Sequence, residues 1–495
     1  MFHTIGERLL ADQLRTASPD RLGAYEAALP GARAAVLSRL WRGLVHDRLP
    51  WVVRHERAGD AVVLHLADGR RAHGPAPDPW DTRPSTTVVV LAGTAYHHPA
   101  RLVRALRVPH GPEFAVELDN STASLALSRT TPTPRDPPGS DWEWEQRVVD
   151  GHPYHPGCRS RPGFTAGEQL AYAPEHRPVV QLGLAATADA LVVGDWPAHL
   201  REERTVLVPV HPWQARHVLP DTPVRPGFPA HPLMSLRTLA PLAGGPHVKT
   251  ALSARLTSSV RDISEHSVAH SVAVSAFLDR LARRLDGRLH ITRTLAAASS
   301  GTADLAAVLR ESPGAHVDHE AGEQVLPAAA FAGSPAAVLA FARLAGSVCL
   351  DLLDLGVALE AHGQNLLVIV DRAGNPVRLV YRDIADVRIS PARLRRHRIA
   401  PPPLTGRPVT DDAGELRRKL FGSLITGTLG PLAGHAHTMR ELLAALTRDL
   451  AHTDDVEALS TRPLPTKALT GMRLNPGRPG DAWTEVPNPL VGGIG

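Results

Sequence analysis

Two apolar runs, Leu366–Val370 and Val377–Tyr381, are separated by Asp371-Arg-Ala-Gly-Asn-Pro376, which carries the glycine, asparagine and proline of a hairpin turn. The pattern predicts an antiparallel ribbon. That pairing brings Asn365, before the first strand, to the same end as Asp383, after the second. An amide oxygen and a carboxylate side by side, with Glu360 and His362 just upstream, are hard ligands suited to a magnesium ion carried on nucleotide phosphates. A surface hairpin with a polar loop is the alternative reading of the same residues.

The stretch feeding this ribbon, Ser334–Ala361, is apolar nearly all round at helical spacing, which predicts a buried helix. At the other end of the chain, Ile5–Leu14 and Asp20–Leu44 read as amphipathic helices. Trp51–Arg54, Ala61–Leu66 and Thr87–Ala92 read as strands, and Ala100–Leu106 and Phe114–Leu127 as helices. Between these ends, Thr205–Val210 reads as a buried strand, and His247–Arg261 alternates well enough for one long strand. Helices are expected again at Glu415–Leu429 and Met439–Leu450. Pro/Thr-rich Arg129–Asp141 and the polar loop Glu311–Pro327 are the clearest boundaries. They divide the chain into an N-terminal α/β part, 1–128, a motif-dense middle part, 140–311, and a mainly helical C-terminal part, 328–495.

Composition excludes more than it identifies. A 495-residue chain with 43% hydrophobic and 21% charged residues has the material for several filled cores. The net charge is only +4, and basic and acidic residues are interspersed, so no nucleic-acid partner is expected; Arg393–Arg398 reads as a solvated face. Two distant cysteines without metal-ligand spacing predict a reducing, cytoplasmic setting. The acidic, helically patterned N-terminus does not read as a secretory signal, and no uninterrupted run of about eighteen apolar residues predicts a membrane span.

Several motifs carry chemistry. Ser235, Arg237 and Thr238 offer two hydroxyls and a guanidinium within four residues, a set matched to phosphate oxygens; a capping or turn role is the alternative. Lys249 and Arg261 lie on one strand-like segment and need anions if they face inward, whether substrate or structural partners. The proline-stiffened loop Gly151–Phe164 carries His152, His155, Arg159 and Arg161. No cysteine or carboxylate completes a zinc site there at the usual ligand spacing, so carboxylate recognition is the better functional reading. His362-Gly363-Gln364-Asn365, followed by a hairpin and Asp, also resembles the catalytic segment of small-molecule kinases. The catalytic aspartate position holds Gln364, however, and no Gly-rich loop with a strand lysine precedes it, so nucleotide binding survives where phosphoryl transfer does not.

Taken in order, GHPYHPGCRSRPGF, HPWQ, SLRT, HVKTALSARLTSSVR, EAHGQN, YRD and KALTGMRL resemble the aerobactin-synthetase-like (IucA/IucC) family of NRPS-independent siderophore synthetases, from about Glu117 to Leu474. The resemblance implies an α+β, multi-domain cupped hand of thumb, fingers and palm, commonly a homodimer. It also implies ATP and Mg2+ as cofactors: a carboxylate of citrate or a related polycarboxylic acid attacks the α-phosphate, and an amine, hydroxylamine or alcohol then takes the acyl group. By resemblance, Ser235, Arg237, Thr238, Lys249 and Gln364 hold ATP. Arg261 and His362, with Lys249, act where the acid meets the α-phosphate. His152, Arg159, Arg161 and Lys467 approach the acid, and Glu360, Asn365 and Asp383 are the metal ligands. Arg159 stands where the family usually has lysine, and the first part is shorter than in many relatives. A kinase-like phosphotransferase and a non-catalytic nucleotide- or iron-chelate-binding protein are the competing functions, the latter because the C-terminal part resembles a region named for ferric reductases.

Overall fold

The computed structural model describes residues 2–257, 259–475 and 481–491. Its apolar side chains gather into separate cores. The first joins the helices Ile5–Ala17, Leu22–His46, Pro99–Leu106 and Gly111–Ser128 to a five-stranded antiparallel sheet over Val52–Tyr96, with Tyr25, Trp41 and Phe114 fully buried at its centre. Trp41 also donates from Nε1 to the Pro75 carbonyl at 2.7 Å, which satisfies the polar end of a buried indole.

The middle of the chain builds a nine-stranded antiparallel sheet. Val180–Thr187 and Val224–Pro232 pair near one end of it, with Thr205–Val210 and Arg201–Glu202 beyond the first. Thr238–Pro241, His247–Thr250, Ala306–Arg310, Thr294–Ser299 and Leu191–Gly194 follow beyond the second. The single long strand expected over 247–261 does not form. His247–Thr250 stays in the large sheet, whereas Leu252–Leu256 turns out of it and pairs with Ser259–Arg261 as a separate hairpin. Gln214 supplies the reason: its side-chain oxygen accepts the Ser253 N–H at 2.7 Å, a bond the sheet would otherwise have made. Thr257, in the left-handed region at φ 58°, then reverses the chain. Ser258, inside the expected strand, lies outside the described residues.

The third and largest core surrounds the helix Pro335–Leu355, where Phe341, Ala342, Ala345, Val348, Cys349 and Leu353 are fully buried. By length and composition this helix would suffice to cross a membrane, although Arg343 and Asp351 interrupt its apolar run, and 56% of its most apolar window is buried inside the protein. The helix starts on a Ser334 cap and Pro335. It stops six residues short of the expected Ala361 because Gly356 adopts φ 113° and accepts no Cβ: one would stand 2.9 Å from the Ser390 carbonyl. Val357–Ala358 then pairs with Arg388–Ile389 and delivers Glu360–Asn365 to the hairpin.

That hairpin forms as the turn chemistry predicts, Leu366–Val370 against Pro376–Tyr381, with Leu366 opposite Tyr381. Leu289–Ile291 adds in parallel to one side and Gln324–Pro327 antiparallel to the other. The expected helix over 415–429 is an α-helix, Ala413–Leu420, that widens into a π-helix, Phe421–Leu429, beside Glu360–His362. Ser423 accepts the Ala361 N–H at 2.9 Å, and Thr428 donates to the Ala361 carbonyl at 2.8 Å. The α+β class and the mainly helical C-terminal part both hold.

Candidate active site

Residues from the middle and C-terminal parts of the chain line one large cavity of about 1410 Å³. Its walls carry nine Lys/Arg side chains against four Asp/Glu, an excess larger than the net charge of the whole chain, +4. Interspersed charge in the sequence thus conceals a strongly cationic cleft.

Every residue expected at the site lines this cavity except Thr238. Thr238 is buried in the strand Thr238–Pro241, and its backbone N–H donates to Ser235 Oγ at 3.2 Å, so it shapes the loop instead of facing the space. Lys249 reaches across to Asp383, Nζ to Oδ1 at 2.5 Å. Burial pushes the lysine down to about 8 against the pull of Asp383, while Lys249, Arg310 and Arg237 overcome burial and hold Asp383 far below the usual carboxylate range. Asp383 itself sits in the left-handed region at φ 65°, a conformation its short polar side chain tolerates.

Arg237 donates to the backbone carbonyls of Arg261 and Asp262, which anchors the outgoing end of the small hairpin. Arg261 makes one long bond, to the Leu256 carbonyl at 3.4 Å, and forms no ion pair among the described residues. It lies within electrostatic reach of Asp383, Glu360 and Asp386. Arg161 is otherwise engaged: it forms a two-pronged pair with the fully buried Glu175, at 2.6 and 3.0 Å. Arg159 is spent largely on the carbonyls of Val148 and Val149.

The imidazoles share one arrangement. His152 Nδ1 accepts the N–H groups of Tyr154 and His155, at 3.2 and 3.1 Å, and His155 Nδ1 accepts that of Gly157 at 2.8 Å. His362 Nδ1 accepts the Gln364 N–H at 3.3 Å. Each ring therefore keeps its proton on Nε2, and burial holds each below its ordinary value, His155 at about 3. His152 and His362 can therefore act as neutral donors to an anion, whereas His155 Nε2 is buried with no hydrogen-bond partner among the described residues.

At the cavity floor, Glu360 Oε1 is shared by Lys419 at 3.0 Å and Lys467 at 3.2 Å. Burial opposes its ionisation, but Lys467 and Lys419 prevail and hold it at about 2. Lys419 escaped the sequence reading because it follows Arg417 and Arg418 in a stretch that looks like a basic surface; it is only 3% exposed. His211-Pro-Trp-Gln214 is not part of the lining; Gln214 is a fully buried clamp on Ser253 and Asp304.

For a metal, no group of three His, Cys, Asp or Glu converges among the described residues, so an all-protein cage is not available. Asn365 donates from Nδ2 to the Glu360 carbonyl at 3.4 Å, and Asp383 gives only Oδ1 to Lys249. One amide and one carboxylate fit an ion whose remaining ligands are phosphate and water. Glu360, held by two lysines, does not fit as well.

The arrangement of sheets and helices around this cleft is shared with solved petrobactin and aerobactin biosynthesis proteins. The structure superposes on petrobactin biosynthesis protein AsbB from Bacillus anthracis with a TM-score of 0.78 at 18% identity, covering 99% of this chain and 98% of the other. Against the ATP-bound aerobactin synthetase IucA of Klebsiella pneumoniae the TM-score is 0.68 at 20% identity, over 92% and 99% of the two chains. Residues 140–333 match the IucA / IucC family model, and 339–482 that of the ferric iron reductase FhuF-like transporter. Residues 140–333 are thus of the IucA / IucC kind, within a fold shared along nearly the whole chain with these two structures. A citryl-spermidine/3,4-dihydroxybenzoyl-citryl-spermidine:spermidine ligase of Bacillus anthracis is 26% identical over 313 residues, 49% of this chain and 50% of that protein. D-ornithine–citrate ligase of Staphylococcus aureus is 24% identical over 172 residues, 27% and 26% of the two. The chain spans about half the length, or less, of these curated relatives.

Proposed function

We propose that this protein is an ATP-dependent ligase that activates a carboxylate of citrate or a related polycarboxylic acid and joins it to an amine, hydroxylamine or alcohol in siderophore biosynthesis. The observation that carries the reading is the cavity wall, where nine Lys/Arg side chains and the neutral imidazoles of His152 and His362 stand against four carboxylates. A triphosphate and a polycarboxylate repel each other, and a site that holds both must supply that surplus. The names of the curated relatives, citrate–amine ligases, support the same substrate classes.

In this reading Ser235, Arg237, Lys249 and Gln364 bind the triphosphate, with Asn365 and Asp383 holding its magnesium, which would neutralise phosphate charge. Arg261, which forms no ion pair among the described residues, and His362 Nε2–H bind the attacking carboxylate and the α-phosphate oxygens. The carboxylate oxygen forms a bond to the α-phosphorus as the bond to pyrophosphate breaks. The nucleophile then adds to the acyl carbon, AMP leaves with the shared oxygen, and the nucleophile's proton is lost. His152 and Lys467 orient the remaining carboxylates, while Arg159 and Arg161 shape that wall through their buried contacts. Glu360 serves as the anion that holds Lys467 in place. The expected homodimer is checked by light scattering in solution.

The test is acid-dependent pyrophosphate release with citrate, succinyl derivatives and 2-oxoglutarate, followed by hydroxylamine trapping. R261A is expected to lose turnover by 10²-fold or more with an unchanged thermal transition. ADP formation, or pyrophosphate release independent of acid, would refute the reading.

A further inference from the structure

Helix Asp141–Gln146 touches no substrate-facing space in the large cavity, yet its Glu145 joins the two halves of the nucleotide site. Glu145 is 1% exposed. Its Oε2 accepts the Met234 N–H at 3.0 Å, one residue before Ser235. Both carboxylate oxygens also receive Arg382, at 2.5 and 2.8 Å, one residue before Asp383. Arg382 passes the constraint on: its Nε donates to the Gln364 carbonyl at 3.0 Å, and its backbone N–H to that of Asn365 at 3.0 Å. The next residue of the helix, Gln146, donates to the Pro232 carbonyl at 3.2 Å on the strand leading into the Ser235 loop.

From this connectivity we infer that Glu145 is a positioning residue, setting the separation between the Ser235–Arg237 loop and the Gln364/Asn365/Asp383 end of the hairpin. No other described carboxylate accepts bonds from both segments. The inference rests on the nucleotide reading of the cavity and goes beyond it, since Glu145 does not line that cavity.

Electrostatics and geometry predict opposite signs here, which makes the inference decidable. Arg310, itself buried, lies within electrostatic reach of Glu145, Arg382, Asp383 and Arg237. Removing the Glu145 charge leaves those cations less compensated, so Coulombic attraction for a triphosphate rises. Loss of the clasp instead lets the two phosphate-facing segments drift apart, and misplacement of about 1 Å costs up to about 10²-fold.

The experiment is calorimetric titration of E145Q and wild type with MgATP, together with acid-dependent pyrophosphate kinetics, well below each protein's thermal transition. E145Q is expected to bind MgATP at least tenfold more weakly and to lose kcat, with E145D, which keeps the charge on a shorter arm, in between. Equal or tighter MgATP binding by E145Q overturns the inference. If E145Q does not fold, E145D and R382K carry the same comparison, and wild-type affinity in both overturns it. Wild type that binds MgATP but releases no pyrophosphate with any acid refutes the ligase reading alone, because the affinity ratio still decides the role of Glu145. Wild type without MgATP affinity overturns both.

Discussion

Replacing Glu360 with glutamine tests the floor of the cavity and separates its two readings, metal ligand and lysine anchor. The carboxylate is 8% exposed and bridges Lys419, 3% exposed, to Lys467. Lowering Glu360 from the ordinary value of 4.5 to about 2 corresponds to roughly 3 kcal/mol of folded-state stabilisation at neutral pH. An independent route gives the same size: breaking a buried pair and leaving its partner charged costs about 3–5 kcal/mol. E360Q is therefore expected to lose about 3 kcal/mol in urea unfolding without any added metal. Lys419 is the group left stranded, so adding K419M to E360Q is expected to return much of the loss. Because the folded pKa lies below the unfolded one, the stabilisation is complete above about pH 4.5 and disappears as the pH falls toward about 2. E360Q flattens that part of the stability profile. A loss below about 1 kcal/mol, or an E360Q/K419M pair no more stable than E360Q, refutes the anchoring argument.

Two further outcomes follow from particular contacts. Lys249 is pushed down to about 8 by burial, so the free site loses a cation as the pH rises through that value; MgATP affinity is expected to weaken above about pH 8, and K249R to move the decline to higher pH, as read by calorimetry across pH 7–10. An alanine at Gly43 would place its Cβ 2.6 Å from Thr470 Cβ, in the segment whose Thr470 and Gly471 N–H groups are held by Asp47; G43A is expected to cost about 1–3 kcal/mol in thermal unfolding and to raise the KM for the acid by displacing Lys467.

Much of the fold was readable because it depends on local chemistry. The hairpin turn, the Asn365/Asp383 bracket, the strand Ala61–Leu66 and most helices follow from turn residues and periodicity that short peptides already encode. The misreadings have tertiary causes. Alternation continues through 247–261 in the burial of Val248, Thr250, Leu252, Ala254 and Leu256, but Gln214, far away in sequence, takes the Ser253 N–H and divides the strand. Apolar spacing continues past Leu355, but the close approach of Ser390 and the left-handed Gly356 end the helix.

The amino-acid sequence by itself determined which polar residues this protein has to spend and in what order they come, because motif order and side-chain chemistry are local properties. Only the tertiary structure decided how each was spent. It paired Arg161 with Glu175, gave Glu360 to two lysines, buried Lys419, and left Arg261 with no carboxylate partner among the described residues. The physical reason is that a buried charge must be compensated wherever packing places it. Which cation keeps its charge for a substrate therefore depends on which carboxylates the fold brings within about 3 Å, and sequence spacing carries no record of those distances.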